Sequence, residues 1–449
     1  MGRLARWYFG TSLIVRILAG FVVGSAIGAI LWGASPAEGP PLAEAWKPYV
    51  SPFGMVFVHM LKMVVYPVIF FSLISGAASL PIRKLGRIGV KTLGWYLLCS
   101  VLAAAIGVCL ALAINPGAQA ELGRWEQMAA ARDAQAEQIA GQAAQPTTGG
   151  VLAQLLLSLF KNPFAALAEG NFLPIIVFAI LFGLAVRVCI EAADGARLAR
   201  LEMLVDMVKA CQDAVFRLVH WILEYSPIGV LALTLLNFGQ YGPAIVGPYV
   251  RVTLGVVLGI LAMVFGVYPV LLWVVTRRNP FRVLGRIKGA MLTAFITRSS
   301  AATLPVSMQT AEEELHIRNE LASFSLPLGA TINMDGVCVH LPMFAVLAAN
   351  LFGLELTAAG LAVLVLTTVL SSIGAGGVPS GSVFLLFVIL QTMGLSGEQV
   401  AVIVALALGI NPILDMFETM NNITGDLVCT YAVAHNEGLI DAEEGASRA

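Results

Sequence analysis

"LDMFETMNNITGD", residues 414–426, holds three carboxylates, two asparagines and two threonines. The chain around it is only 12% charged. On a helix turning about 100° per residue, Asp415, Glu418, Thr419, Asn422 and Asp426 fall within a sector of roughly 100°. Such a stripe cannot face lipid, where a central Asp costs about 2.5–3.5 kcal/mol on insertion scales. It must face protein, water or an ion. A helix-packing network is the bland alternative, but the stretch carries no Lys or Arg to answer its charges. Cations from solution are the obvious compensation.

The rest of the chain sets the context. Its 449 residues are 58% hydrophobic, with a mean hydropathy of +0.86, whereas soluble domains are about 45–50% apolar and about a quarter charged. "TSLIVRILAGFVVGSAIGAILW" from Thr11 and "VTLGVVLGILAMVFGVYPVLLWVV" from Val252 are long enough to cross a bilayer. The first is too long for a secretory signal peptide and lacks its cleavage pattern. The composition therefore describes an integral membrane protein, with the lipid bilayer as solvent. A net charge of −1 gives no reason to expect nucleic acid. The six cysteines form no CxxC and read as small buried side chains.

Spans are expected near 11–32, 52–76, 89–114, 171–193, 203–235 and 245–275. Basic residues flank them on one side. Arg3, Arg6 and Arg16 precede or enter the first span. Arg83, Lys84, Arg87 and Lys91 lie between the second and third. Arg187, Arg197 and Arg200 lie near the turn from the fourth to the fifth, and Arg277, Arg278, Arg282, Arg286 and Lys288 follow the sixth. The pattern predicts a cytoplasmic N-terminus in a cell (inner) membrane. Residues 115–150 are Ala/Gln-rich and read as an external connection.

Beyond about residue 283 the apolar runs are interrupted. "TRSSAATLP" (297–305) breaks one and "SSIGAGGVPSG" (371–381) another. Each precedes a polar-bearing apolar segment: "GATINMDGV" (329–337), then the stripe at 414–426. The order is hairpin, helix, hairpin, helix. Paired interruptions in the two halves of a transporter point to an inverted repeat with its site at the bilayer midplane. Kinks and surface loops are the bland alternative.

In "TINMDG", Asn333 and Asp335 would diverge by about 160° on a regular helix. Gly329 and Gly336 flank them, and an unwound turn would let both face one site. Unwound backbone at membrane depth is tolerated only where it lines a buried site. Carboxylate, amide and carbonyl oxygens form a hard ligand set that fits sodium, though it does not by itself separate sodium from a proton. Ser299, Ser300 and the Gly376–Gly377 pair allow backbone N–H groups at half-helix ends to approach an anionic group.

"LKMVVYPVIFFSLISGAASL", "TRSSAATLP", "PLGATINMDG", "SSIGAGGVP" and the final "LDM…T..N.TGD" occur in that order. With them the chain resembles the dicarboxylate/amino acid:cation symporters, the glutamate-transporter fold, over nearly its whole length. The resemblance implies an all-α membrane protein of eight transmembrane helices and two re-entrant hairpins. It implies a homotrimer in which a transport domain slides, elevator-fashion, against a scaffold. Residues 1–78 are then scaffold helices 1 and 2, and 79–114 transport-domain helix 3. Residues 115–240 are an extracellular loop with scaffold helices 4 and 5. Residues 241–436 complete the transport domain, and 437–449 form a cytoplasmic tail.

The resemblance also implies site residues. The substrate α-carboxylate meets the Arg298 main chain, Ser299, Ser300 and Asn422. The α-amino group meets Asp415 beside Thr419. The second hairpin, around Val378 and Ser382, closes over the substrate, with Val337 and Glu418 at the substrate's side chain. Two to three sodium ions are implied. One uses Asn333, Asn422, Asp426 and the Gly329 carbonyl. A second uses carbonyls of Ser372, Ile373 and Ala375, with Thr331. A third lies among Tyr96, Cys99, Ser100, Asn333 and Asp335.

Three positions depart from the acidic-substrate branch, which has Arg in place of Glu418, Thr in place of Val337, and Thr in place of Cys99. The first two remove partners for an acidic side chain, and the third puts a soft thiol at the third ion site. Glu418 would also repel an acid, by roughly 4 kcal/mol for like charges about 4 Å apart at an effective dielectric near 20. Glu here resembles the serine and threonine carriers, while the flanking sequence is more similar to glutamate and aspartate carriers. Sodium-coupled symport of a neutral (serine-, threonine- or alanine-like) or basic amino acid is thus expected, with acidic amino acids or C4-dicarboxylates, sodium- or proton-coupled, as the alternative. Leu341 stands where some relatives place an acidic proton carrier.

An intramembrane protease is disfavoured. Asp335 and Asp415 lack a GxGD, and "GGVPSGS" contains no GxSG. No enzyme activity is expected. A channel also lines itself with polar stripes and is separated from a carrier by saturable uptake. His59, His220, His316 and His435 read as surface or interfacial groups, and His340 as packing or cavity lining.

Overall fold

The computed structural model describes residues 10–36, 40–78, 82–117, 160–169, 172–242, 246–375, 377 and 380–441. These residues are almost entirely helical, and eight helices are long and apolar enough to cross a membrane. The first six are α1 (Leu13–Gly33), α2 (Leu42–Ala78), α3 (Ile82–Ile114), α4 (Phe172–Glu191), α5 (Gly195–Tyr241) and α6 (Val246–Thr276). They follow the six expected spans. α2 and α5 begin about ten residues earlier than their apolar cores, because turns that carry charged residues (Glu44 and Lys47; Arg197, Arg200 and Glu202) continue the backbone ladder. α6 carries a π-turn at Met263–Val267, a local widening that accommodates an extra residue.

Glycines decide which helices touch. A Cβ at Gly20 or Gly28 of α1 would fall 2.5 Å from the Pro227 or Leu235 carbonyl oxygen of α5, and Gly24 packs just as closely on Leu231 and Thr234. This stripe of small residues at every fourth position lets two backbones approach without a side-chain layer between them. Gly229 of α5 makes room for the Phe57 ring of α2, and Gly183 of α4 lies against Ala77 and the Ile74 carbonyl of α2. The helices α1, α2, α4 and α5 pack together in this way. At the α1–α5 seam the guanidinium of Arg16 is buried and bridges to Glu224 at 2.7 Å.

The second half is interrupted as the sequence predicts. α7 (Pro280–Thr297) and α8 (Ser300–Gln309) form one hairpin, and α11 (Ala358–Ser372) and α12 (Gly381–Thr392) the other. Between them α9 (Asn319–Ile332) and α10 (Asp335–Leu351) are separated by the unwound residues Asn333 and Met334. α13 (Gly397–Glu437) follows, opened by a reciprocal cap between Ser396 and Gln399. α10 is apolar nearly all round and almost wholly buried, as a helix at the centre of a bundle must be. Gly107 of α3 and Gly255 and Gly259 of α6 let those helices close on it.

Candidate functional site

The two hairpin tips meet. α7 ends at Arg298, whose φ of 55° is left-handed, and Ser299 caps α8 by accepting the Ala302 N–H at 3.2 Å. The Ser299 hydroxyl also donates to the Gly377 carbonyl at 3.0 Å, and the Ala301 N–H donates to the same oxygen at 3.4 Å. Gly377 itself has a φ of 66°, and a Cβ there would strike the Ala330 carbonyl near the end of α9. One glycine thus joins both tips to the helix that leads into the unwound turn.

A narrow pocket lies beneath this junction. α13 contributes Asp415, Glu418, Thr419 and Asn422. Arg298 and Ser300 enter from the first tip, and Ala375, Gly377, Gly381 and Ser382 from the second. Met334 and Val337 close the side nearest α10. The residues expected at a substrate are therefore brought together, apart from Val378, which lies outside the described residues. Ser299 sits behind the lining, in the tip junction.

Four of the polar wall residues have named partners. Asp415 Oδ2 accepts the Ser380 N–H at 3.0 Å and lies 3.8 Å from the Arg298 guanidinium. Asn422 Oδ1 accepts the Gly336 N–H at 2.7 Å, filling one of the donors left open at the start of α10. Ser382 donates to Asn411 Oδ1 at 3.3 Å. Glu418 Oε1 lies 2.5 Å from His340 Nδ1. Two of these features escaped the sequence reading. Arg298 was expected to act through its main chain, yet its guanidinium lines the pocket. His340, expected as packing or cavity lining, lies against Glu418 of the pocket wall. The signal was available: His340 follows Val337 by one helical turn.

The oxygen cluster lies beside the pocket. Asn333 Nδ2 donates to Asp426 Oδ1 at 2.9 Å, while Asn333 Oδ1 and Asp426 Oδ2 are buried without a partner among the described residues. Buried acceptors are seldom left so, and a small hard cation suits such a donor set. The Gly329 carbonyl accepts the Asn333 N–H at 2.9 Å, and a carbonyl oxygen keeps a second lone pair for an ion.

The other two expected ion sites are less gathered. Thr331 turns its hydroxyl back to the Leu328 carbonyl at 2.8 Å, and the Ser372 carbonyl accepts the Ala375 N–H at 3.1 Å. Ile373, between them, is half-buried. At the third, Asp335 receives the Ser100 hydroxyl at 2.9 Å and the Tyr268 hydroxyl at 2.7 Å. Tyr96 donates to Ser325, and Cys99 faces Cys429 with sulfurs 3.5 Å apart. Asn333 and Asp335 do converge, as an unwound turn allows: atoms of both lie within 3.1 Å of the position a Cβ on Gly425 would take. Tyr268 was not foreseen there.

A buried polar pocket between two helical hairpins, within a bundle of membrane-crossing helices, defines a multi-pass membrane transporter. The chain belongs to the sodium:dicarboxylate symporter family, whose profile matches residues 13–436. It is 31% identical over 438 residues to the bovine neutral amino acid transporter B(0), covering 92% of this chain and 77% of that protein. It is 30% identical over 421 residues to a serine/threonine transporter of Bifidobacterium adolescentis, with 94% and 89% covered. It is 28% identical over 444 residues to the proton/glutamate-aspartate symporter of Escherichia coli, with 96% and 94% covered. The family is one of transporters, not enzymes.

Proposed function

We propose that the protein is a secondary active carrier coupling sodium entry to the uptake of a neutral amino acid, serine-, threonine- or alanine-like, or of a basic one. One observation carries this: the pocket sets one guanidinium, Arg298, against two carboxylates, Asp415 and Glu418. A zwitterion adds no net charge, so an uncharged or cationic side chain suits the balance and an anionic one does not. The α-amino group pairs with Asp415, and the α-carboxylate with Ser300, Asn422 and backbone N–H groups of the first tip. Sodium is a co-substrate, two to three ions per cycle, with the Asn333–Asp426 cluster as the best-formed site. The second hairpin is the gate.

In this reading α1, α2, α4 and α5 form a scaffold that assembles as a homotrimer. α3, α6, α9, α10, α13 and both re-entrant hairpins move against it as an elevator. The glycine-mediated packing within each group supports the division. Both termini are cytoplasmic in the cell membrane, following the basic flanks.

Uptake into proteoliposomes, with and without a sodium gradient and with competing amino acids, tests the proposal. Sodium-dependent, saturable uptake displaced by serine, threonine, alanine or lysine is the expected result. Sodium-independent or non-saturating flux removes it. A second reading, transport of acidic amino acids or dicarboxylates, draws on the Arg298 guanidinium as an alternative partner for a substrate's side-chain carboxylate. Displacement by aspartate in preference to serine selects that reading.

A further inference from the structure

The His340 imidazole is wholly buried and stacks on Phe344 with ring centroids 4.7 Å apart. Its Nδ1 lies 2.5 Å from Glu418 Oε1, and its Nε2 is buried with no hydrogen-bond partner among the described residues. That asymmetry locates the hydrogen. An empty acceptor at Nε2 is the lesser defect, whereas an N–H there would be an orphaned donor, which buried structure rarely tolerates. Nδ1 therefore carries the hydrogen and donates it to Glu418. A carboxylate receiving this bond accepts only, and Glu418 lines the pocket.

One further carboxylate, Asp415, stands beside the pair, and the other charges are engaged elsewhere. Asp415, on the same face of α13, is answered by Arg298 and the Ser380 N–H. On α10, Asp335 is held by Ser100 and Tyr268, and Cys338 lies near it. Tyr96 and Cys99 of α3 belong to that same ion-site cluster, bonded to Ser325 and Cys429. α11 and α12 carry no titratable side chain. Among the described residues, His340 is the polar side chain bonded to Glu418.

We propose that His340 is a further specificity-determining residue, a positioning residue that holds Glu418 as an acceptor-only carboxylate at the side-chain end of the pocket. The carrier then selects amino acids whose side chain donates a hydrogen bond (hydroxyl, carboxamide or ammonium) and refuses those with a carboxylate. This rests on the reading of the pocket as an amino acid site. Without the imidazole N–H the carboxylate is free to turn from the side-chain end of the pocket, and both its attraction for a donor and its repulsion of an acid weaken there.

The test is competition of unlabelled serine and aspartate against labelled serine in proteoliposomes with an inward sodium gradient. Wild type should prefer serine. In His340→Leu the preference should fall about tenfold, as expected for loss of one hydrogen bond to a charged group. His340→Asn, whose amide N–H can take the Nδ1 position, should restore the wild-type preference. Should His340→Leu fail to fold, His340→Gln, which directs its amide away from that position, carries the same expectation. An unchanged preference in the folded Leu or Gln variant overturns the proposal. So does a wild type that prefers aspartate, which leaves the pocket reading intact. A wild type that transports no amino acid removes the pocket reading itself.

Discussion

The Asn333 amide and the Asp426 carboxylate meet at 2.9 Å, and each keeps one buried oxygen without a partner among the described residues. The two residues belong to different helices, and only the unwinding at Asn333–Met334 turns the amide toward α13. Asp426→Asn keeps the shape and removes the charge. The sodium concentration for half-maximal uptake should rise at least about tenfold, the equivalent of roughly 1.4 kcal/mol. Sodium should also raise the melting temperature of wild type, which binds it in the folded state, and do so much less in the variant. An unchanged sodium dependence would remove the ion from this cluster.

Gly377 offers a test of the gate. Its left-handed backbone and its approach to the Ala330 carbonyl leave no room for a methyl group. Gly377→Ala incurs roughly 1–2 kcal/mol of backbone strain and loosens the junction with Ser299. The substrate concentration for half-maximal uptake should rise about tenfold or more, and the melting temperature should fall by a few degrees. A variant with wild-type affinity would show that the tip junction plays no part in holding substrate.

Much of this was legible in the chain because a membrane simplifies the code. Spans read as apolar runs, and the breaks at 297–305 and 371–381 read as small polar residues where lipid forbids them. The stripe from Asp415 to Asp426 needed only helical periodicity. What periodicity does not carry is the rotation of one helix against another. His340 meets Glu418 across 78 residues of sequence, and no local pattern on α10 says which face turns to α13. The Arg298 guanidinium was missed for a related reason: its direction follows from a left-handed backbone angle at the helix break. The early starts of α2 and α5 were hidden because Glu44, Lys47 and Pro48 in the one, and Arg197, Arg200 and Glu202 in the other, interrupt the apolar run.

The α1–α5 seam predicts a stability effect separate from transport. Gly24 lies against the Leu231 carbonyl and the Thr234 hydroxyl. Gly24→Leu forces the helices apart, a form of overpacking that costs about 1–3 kcal/mol. The melting temperature in detergent should fall by several degrees. Protein that remains folded should keep its serine and sodium affinities, because the seam does not line the pocket. A variant as stable as wild type would mean that the two helices do not approach so closely.

Glu418→Arg reverses the charge at the side-chain end of the pocket. The carboxylate now repels an acidic side chain by roughly 4 kcal/mol at about 4 Å and an effective dielectric near 20. The guanidinium would attract it. It would also lose the bond to His340 and approach Arg298, whose nearest anion is Asp415 at 3.8 Å. Both effects limit the gain. Aspartate should displace labelled substrate at least about tenfold better than in wild type, and serine should displace it less well. Because the variant places two guanidiniums in one pocket, the gain for aspartate should shrink as salt is raised at fixed sodium. If wild type already takes up aspartate in preference to serine, threonine and lysine, Glu418 is not the residue that sets the charge of the substrate.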